Sequence, residues 1–173
     1  MFAANDLVIY SNLGVCRIVE ITTQKFNGED RLYYALIPLC QEQECTVYIP
    51  VDTKVFMRPV ISRTEALALI DSIPLMQTEA FYCHSVQQLK EHYEQSFGSH
   101  DCSDLIELLM SIYAKKQYVL AHNRKFGQID ERFMKRAEDL LYGEFSVALD
   151  IPVKEVQQYI ETRVKHLKTA QQQ

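Results

Sequence analysis

Ile73-Pro74-Leu75-Met76 marks the point beyond which the chain changes its hydrophobic period. Upstream, in residues 1–61, apolar residues come in brief clusters: Leu7-Val8-Ile9-Tyr10, Val15 to Ile21, Leu32 to Leu39, Thr46 to Ile49 and Val55 to Met57. Clusters this short, separated by turn residues, predict the strands of a small barrel. From Asp101 onward apolar residues instead recur three and four apart, as in Leu105, Leu108, Leu109, Ile112 and Tyr113, which is the stripe of an amphipathic helix. The pattern predicts an α+β chain with a β-rich front and an all-helical back.

The punctuation of the front half suits a hairpin-rich fold. Asn12 to Gly14 turns the first strand into the second, and Asn27-Gly28 is a hairpin turn because both residues tolerate positive φ. Pro38 and Pro50 close two further strands, since proline has no N–H to give a ladder. Five short strands in so few residues are too few for a sandwich and predict an SH3-like or Tudor-like barrel. Ser62 with Glu65 then forms a capping box before Ala66-Leu67-Ala68-Leu69-Ile70, and Pro74 stops that short helix.

The expected organisation is therefore a barrel over 1–62, a short helix and linker over 63–82, a helical domain over 83–168 and a frayed polar tail over 169–173. About four helices are expected in the third part, near 83–96, 102–121, 130–148 and 152–168. Asp101 is placed as the cap of the second and Asp130 as the cap of the third, with Pro152 in the first turn of the fourth. Met76 to Cys83 connects the domains without Gly/Ser-rich character, and its Phe81 and Tyr82 are expected to pack.

With 173 residues, the chain has room for two small domains, each with a modest core. No stretch approaches the roughly 20 apolar residues of a membrane span. The segment Met1 to Asp6 has neither a basic region nor a sustained apolar run, so a cytoplasmic protein without a secretory signal is expected. The five cysteines, Cys16, Cys40, Cys45, Cys83 and Cys102, lack CxxC spacing and do not suggest a disulfide framework or a zinc ribbon. Cys40 and Cys45 flank a hairpin loop and receive no functional role. Motifs for nucleotide, metal or acyl-transfer chemistry are absent, and the five histidines (His84, His92, His100, His122, His166) are scattered. These features favour a binding protein over an enzyme and imply no cofactor and no metal; the enzymatic rival is a thiol enzyme built on Cys83 or Cys102.

The formal net charge of −5 hides a local reversal. Between Ser111 and Ile129 there is no acidic residue, while Lys115, Lys116, Arg124 and Lys125 fall in that window beside His122. Two readings are open. The cations can simply suit the C-terminal end of a helix dipole, or they can contact phosphates.

The run Asn5-Asp6-Leu7-Val8-Ile9-Tyr10-Ser11-Asn12-Leu13-Gly14-Val15, the Asn27-Gly28-Glu29 hairpin, Leu32-Tyr33-Tyr34-Ala35-Leu36, Thr46 to Asp52 and Arg58-Pro59-Val60-Ile61-Ser62 together resemble the CarD/CdnL family of bacterial transcription regulators. The likeness continues through Leu69 to Pro74, Asp130-Glu131-Arg132-Phe133 and Ala137 to Phe145, and its wording is most similar to the clostridial branch. The resemblance implies a Tudor-like domain that docks on the RNA polymerase β subunit, as does the related module of transcription-repair coupling factors, followed by a helical domain that touches promoter DNA. It implies a regulator that stabilises the open complex through minor-groove and phosphate contacts without reading a sequence; a monomer with no membrane partner is expected. The rival is an interaction module that binds polymerase without functional DNA contact.

By the same resemblance, the polymerase-facing residues are Gln24, Phe26 and Tyr48. Several relatives carry arginine where Gln24 and Tyr48 stand here, which implies a more apolar dock with backbone pairing along a strand edge. Either ring can instead pack on its own barrel. Relatives also place a minor-groove tryptophan wedge near the start of the first C-terminal helix, whereas this chain has no tryptophan. The corresponding stretch runs from Phe81 to Gln88, with Tyr82 and His84 as the nearest rings and Lys90 as the first cation. The implied DNA-contacting set is Tyr82, His84, Lys90, Lys115, Lys116, Arg124 and Lys125, with packing against the linker and first helix as the alternative for the two rings.

Overall fold

The computed structural model describes residues 1–40 and 45–170, with every side chain among them except that of Phe26. The chain divides into two compact units, Met1–Ile61 and Ser62–Gln173.

In the first unit β1 (Leu7–Tyr10), β2 (Val15–Phe26), β3 (Glu29–Pro38), β4 (Val47–Pro50) and β5 (Met57–Pro59) form one antiparallel sheet in the order β4-β3-β2-β1-β5. Val8, Cys16, Ile18, Tyr34, Leu36 and Ile49 make its core, and Val47 of β4 and Met57 of β5 pack against that same cluster. In a flat sheet the two outer strands would stand about 19 Å apart. Sharing one core requires the sheet to curl over it, as in a small barrel. Each large side chain buried there contributes about 1.5–3 kcal/mol.

The pairing of β2 with β3 shifts between Ile18 and Glu20, so Val19 is the extra residue of a β-bulge. The bulge lets Ile18 and Ile21, three apart, both serve the core. Asn27 at φ 52° and Gly28 at φ 86° form the two-residue turn that pairs Phe26 with Glu29. Strands β2 and β3 therefore run well past the apolar clusters that announced them. Their outer arms are exposed and are held by the turn and the ladder rather than by burial. The last strand lies at Met57–Pro59 rather than Val55 to Met57, because Val55 and Phe56 are exposed and Phe56 gives its carbonyl to the Ser11 N–H.

The second unit holds α1 (Arg63–Ser72), α2 (Val86–Gly98), α3 (Cys102–Ala121), α4 (Gln128–Leu149) and α5 (Val153–Ala170). The Ser62 hydroxyl accepts from the Glu65 N–H and the Glu65 carboxylate accepts from the Ser62 N–H, the reciprocal box that starts α1. Rather than belonging to a linker, α1 packs on α4 and α5. Asp71 on α1 takes two hydrogen bonds from Arg163 on α5, at 2.5 and 2.8 Å. Leu89, Tyr93 and Phe97 of α2 meet α3 and the Phe133, Ala137, Leu141, Phe145 stripe of α4 in the core. Ser85 and Asp101 cap α2 and α3. Helix α5 continues to Ala170, so the start of the expected tail is helical, and residues 171–173 lie outside the described residues. Among the described residues no helix is long and apolar enough to cross a membrane.

Asp130 does not cap α4. The cap is Gly127, and Asp130 sits one turn in, buried, where it accepts from the Tyr93 hydroxyl at 2.6 Å and from Lys115 at 2.8 Å. A Cβ on Gly127 would stand 2.7 Å from the Asp130 carboxylate, so the glycine makes room for that buried acid.

Candidate functional site

Opposed residues of an antiparallel pair point to the same side of the sheet, and successive residues alternate. Glu20, Ala35 and Tyr48 are opposed across β2, β3 and β4; Thr22, Tyr33 and Pro50 are opposed next, and Gln24 faces Arg31. These rows share the face turned away from the Tyr34 and Leu36 core. Gln24 and Tyr48 thus lie on one face, about 13 Å apart along the strands, and the Tyr48 side chain is 48 % exposed. The backbone of Phe26 extends the same hairpin arm opposite Glu29, while its side chain lies outside the described residues. β4 is an outer strand of the sheet, with β3 as its one sheet partner among the described residues.

Arg31 escaped the reading of the sequence. It is exposed, opposes Gln24, and brings a guanidinium to a row where Gln24 supplies none; its own neighbour is Glu29, at 3.5 Å. Counting residue pairs outward from the Asn27-Gly28 turn would have found it.

In the helical unit the linker is docked rather than loose. The Glu79 carbonyl accepts from the Ser111 hydroxyl at 2.8 Å, and Phe81 stacks on His92 at 3.6 Å. Tyr82 meets Tyr118 edge to face at 5.9 Å, and Tyr118 in turn lies 4.1 Å from the His122 ring. Tyr82 and Tyr118 remain about half exposed. The His122 Nδ1 lies 2.8 Å from the Tyr118 carbonyl, so this nitrogen carries the proton and donates it, which fixes the ring. Tyr118 is the second residue that sequence reasoning missed; its signal was the four-residue spacing to His122 inside the acid-free window.

The basic window does not form one patch. Lys115 is turned inward with its side chain 11 % exposed, paired to Asp130, and its ammonium stands 5.6 Å from the Tyr82 ring centre. This burial and pairing favour a structural role for Lys115 over the phosphate contact expected of it. Lys116 lies about 160° round α3 from Tyr118, with its ammonium 5.4 Å from the Phe126 ring centre. Arg124 and Lys125 are exposed in the loop after α3, where the Arg124 N–H bonds back to the Val119 carbonyl. His84 is exposed just before the Ser85 cap, and Lys90 is half-buried beside Leu89 on α2. None of the described contacts joins His84 or Lys90 to the Tyr82 cluster.

Several titratable groups of this unit are engaged structurally. Burial, and then the bond to Asp130, raises the Tyr93 hydroxyl above its ordinary range; burial, and then the bond to Glu138, does the same for Tyr113. Burial lowers His92. The bond from Arg163 holds Asp71 below the usual carboxylate range. In the sheet unit, burial and then the nearby Cys40 and Cys45 push the Cys16 thiol up to about 12. Cys102 is buried and lies 3.1 Å from the Glu144 carboxylate, and Cys83 lies 3.2 Å from the Gln88 side-chain oxygen.

A small curled antiparallel sheet with a polar, ring-bearing face and a strand edge that is open among the described residues has a geometry on which a partner strand can pair. Residues 2–61 match the family model of the CarD-like/TRCF RID domain. The match ends at Ile61, where the unit itself ends. No curated protein matches the chain.

Proposed function

We propose that this protein is a transcription regulator that binds the RNA polymerase β subunit through its N-terminal unit and contacts promoter DNA through its helical unit, so as to modulate open-complex stability at initiation. The family match over 2–61 carries this reading, because the RID domain is an RNA polymerase-interacting module. Gln24, Arg31 and Tyr48 on one exposed sheet face support the dock, with Phe26 on the same hairpin arm. The outer edge of β4, without a further strand partner among the described residues, offers backbone groups to a strand of the partner. On the DNA side, the exposed rings of Tyr82 and His84 and the exposed cations Arg124 and Lys125 support contact without sequence readout.

The rival reading, polymerase binding without functional DNA contact, draws on the missing tryptophan and the inward turn of Lys115. Open-complex lifetime on a promoter template separates the two. The proposal expects the protein to change that lifetime, Tyr82→Ala or His84→Ala to weaken the effect, and Ser85→Trp to strengthen it. A protein that binds polymerase and leaves the lifetime untouched belongs to the rival.

A further inference from the structure

We infer that Tyr82, Tyr118 and His122 form a stacking platform for an unpaired nucleobase of single-stranded DNA, with Lys115 acting beneath it as a positioning residue. The inference deepens the proposed DNA contact and rests on it.

Three observations converge on this surface. Tyr82 and Tyr118 are half exposed yet braced edge to face, and His122 is held over Tyr118 by its bond to the Tyr118 carbonyl. Rings fixed before binding lose little rotamer freedom when a base stacks on them. Lys115, locked to Asp130 at 2.8 Å, holds its ammonium against the Tyr82 ring and so fixes the linker tyrosine relative to α3. Finally, the stretch from Ser111 to Ile129 has no acidic residue, and Arg124 and Lys125 follow the platform directly in the chain.

The shape favours a single strand over a duplex. A wedge that enters a minor groove is a lone protruding side chain, whereas Tyr118 is braced by Tyr82 edge to face and by the His122 ring at 4.1 Å. Inside a duplex both faces of every base are covered; only an unpaired base has a face to give. Charge points the same way. A chain of net charge −5 gains little from long-range attraction to a polyanion. Stacking, which every base can supply, adds to what the local cations Arg124 and Lys125 contribute.

The test uses the full chain and two probes, a fluorescein-labelled oligothymidine and a duplex of the same length, followed by anisotropy. The wild type is expected to prefer the single strand. Tyr118→Ala is expected to weaken that binding roughly five- to a hundredfold, while Tyr118→Phe, which keeps the ring, binds as the wild type and both variants keep the wild-type melting temperature. Preference for the duplex, or an unchanged affinity in Tyr118→Ala, overturns the platform and leaves DNA contact standing. Binding to neither probe overturns the platform and the DNA arm of the proposed function together.

Discussion

Lys115 and Lys116 are neighbours in the chain and stand in opposite situations. The first is buried against Asp130 and Tyr82; the second reaches past the helix to Phe126. Removing one partner of a buried pair strands the other charge, so Lys115→Ala is expected to cost about 3–5 kcal/mol in urea unfolding. Lys116→Gln is expected to stay within about 0.5 kcal/mol. Equal, small effects would mean that Lys115 is on the surface after all. For phosphate contact the set narrows to Lys116, Arg124 and Lys125. Changing all three to Gln is expected to flatten the slope of log affinity against log salt on the polymerase–promoter complex, by up to about 0.9 per lost contact; an unchanged slope returns them to a solvated surface. The acid-free window was legible in the sequence, but its inward cation was not. Lys115 is sorted by a carboxylate fifteen residues further along, and no local spacing reports that pairing.

At the scale of elements, the periodic signals did best where burial is what makes the element. Helix α3 runs over the expected residues because its apolar stripe is continuous and Asp101 caps it. Where a turn or a partner decides, the signal fell short. The outer arms of β2 and β3 are polar and owe their pairing to Asn27-Gly28, and α4 starts earlier than expected because Asp130 is used in the core. The tie between α1 and α5 was invisible for the same reason, since Asp71 and Arg163 lie far apart in sequence. Its pH dependence follows from the lowered Asp71 carboxyl. Folding lowers that group, so its contribution is complete above the unfolded carboxylate value of about 3.9 and is lost as pH falls through the lower folded value. Both side chains are more than a third exposed, so the contribution is modest. Asp71→Asn is expected to be less stable than wild type near neutrality, with the two converging in strong acid. A gap that persists at low pH would show that the ion pair is not its source.

At the scale of the whole molecule, the division into a sheet unit and a helical unit rests on two different ways of burying apolar surface. One is a curled sheet around Tyr34 and Leu36, the other a stack of helices around Tyr93, Phe133 and Phe145. The change of period registers that difference directly, which is why the architecture was readable from one sequence. The candidate interaction surface was readable only in part. Gln24 and Tyr48 came from a family likeness, while Arg31 needed the register and Tyr118 needed the docked linker.

The central claim is that the N-terminal unit docks on RNA polymerase through the face that carries Gln24 and Tyr48. Its most direct test is recovery of polymerase from native cell extract by the immobilised full chain, alongside a Phe26→Asp/Tyr48→Asp double variant of matched melting temperature. Central anchors of an interface carry about 2 kcal/mol or more each. The wild type is expected to retain the β subunit and the double variant to lose it. Absence of the β subunit from the wild-type eluate, or equal recovery by a folded double variant, would contradict the claim.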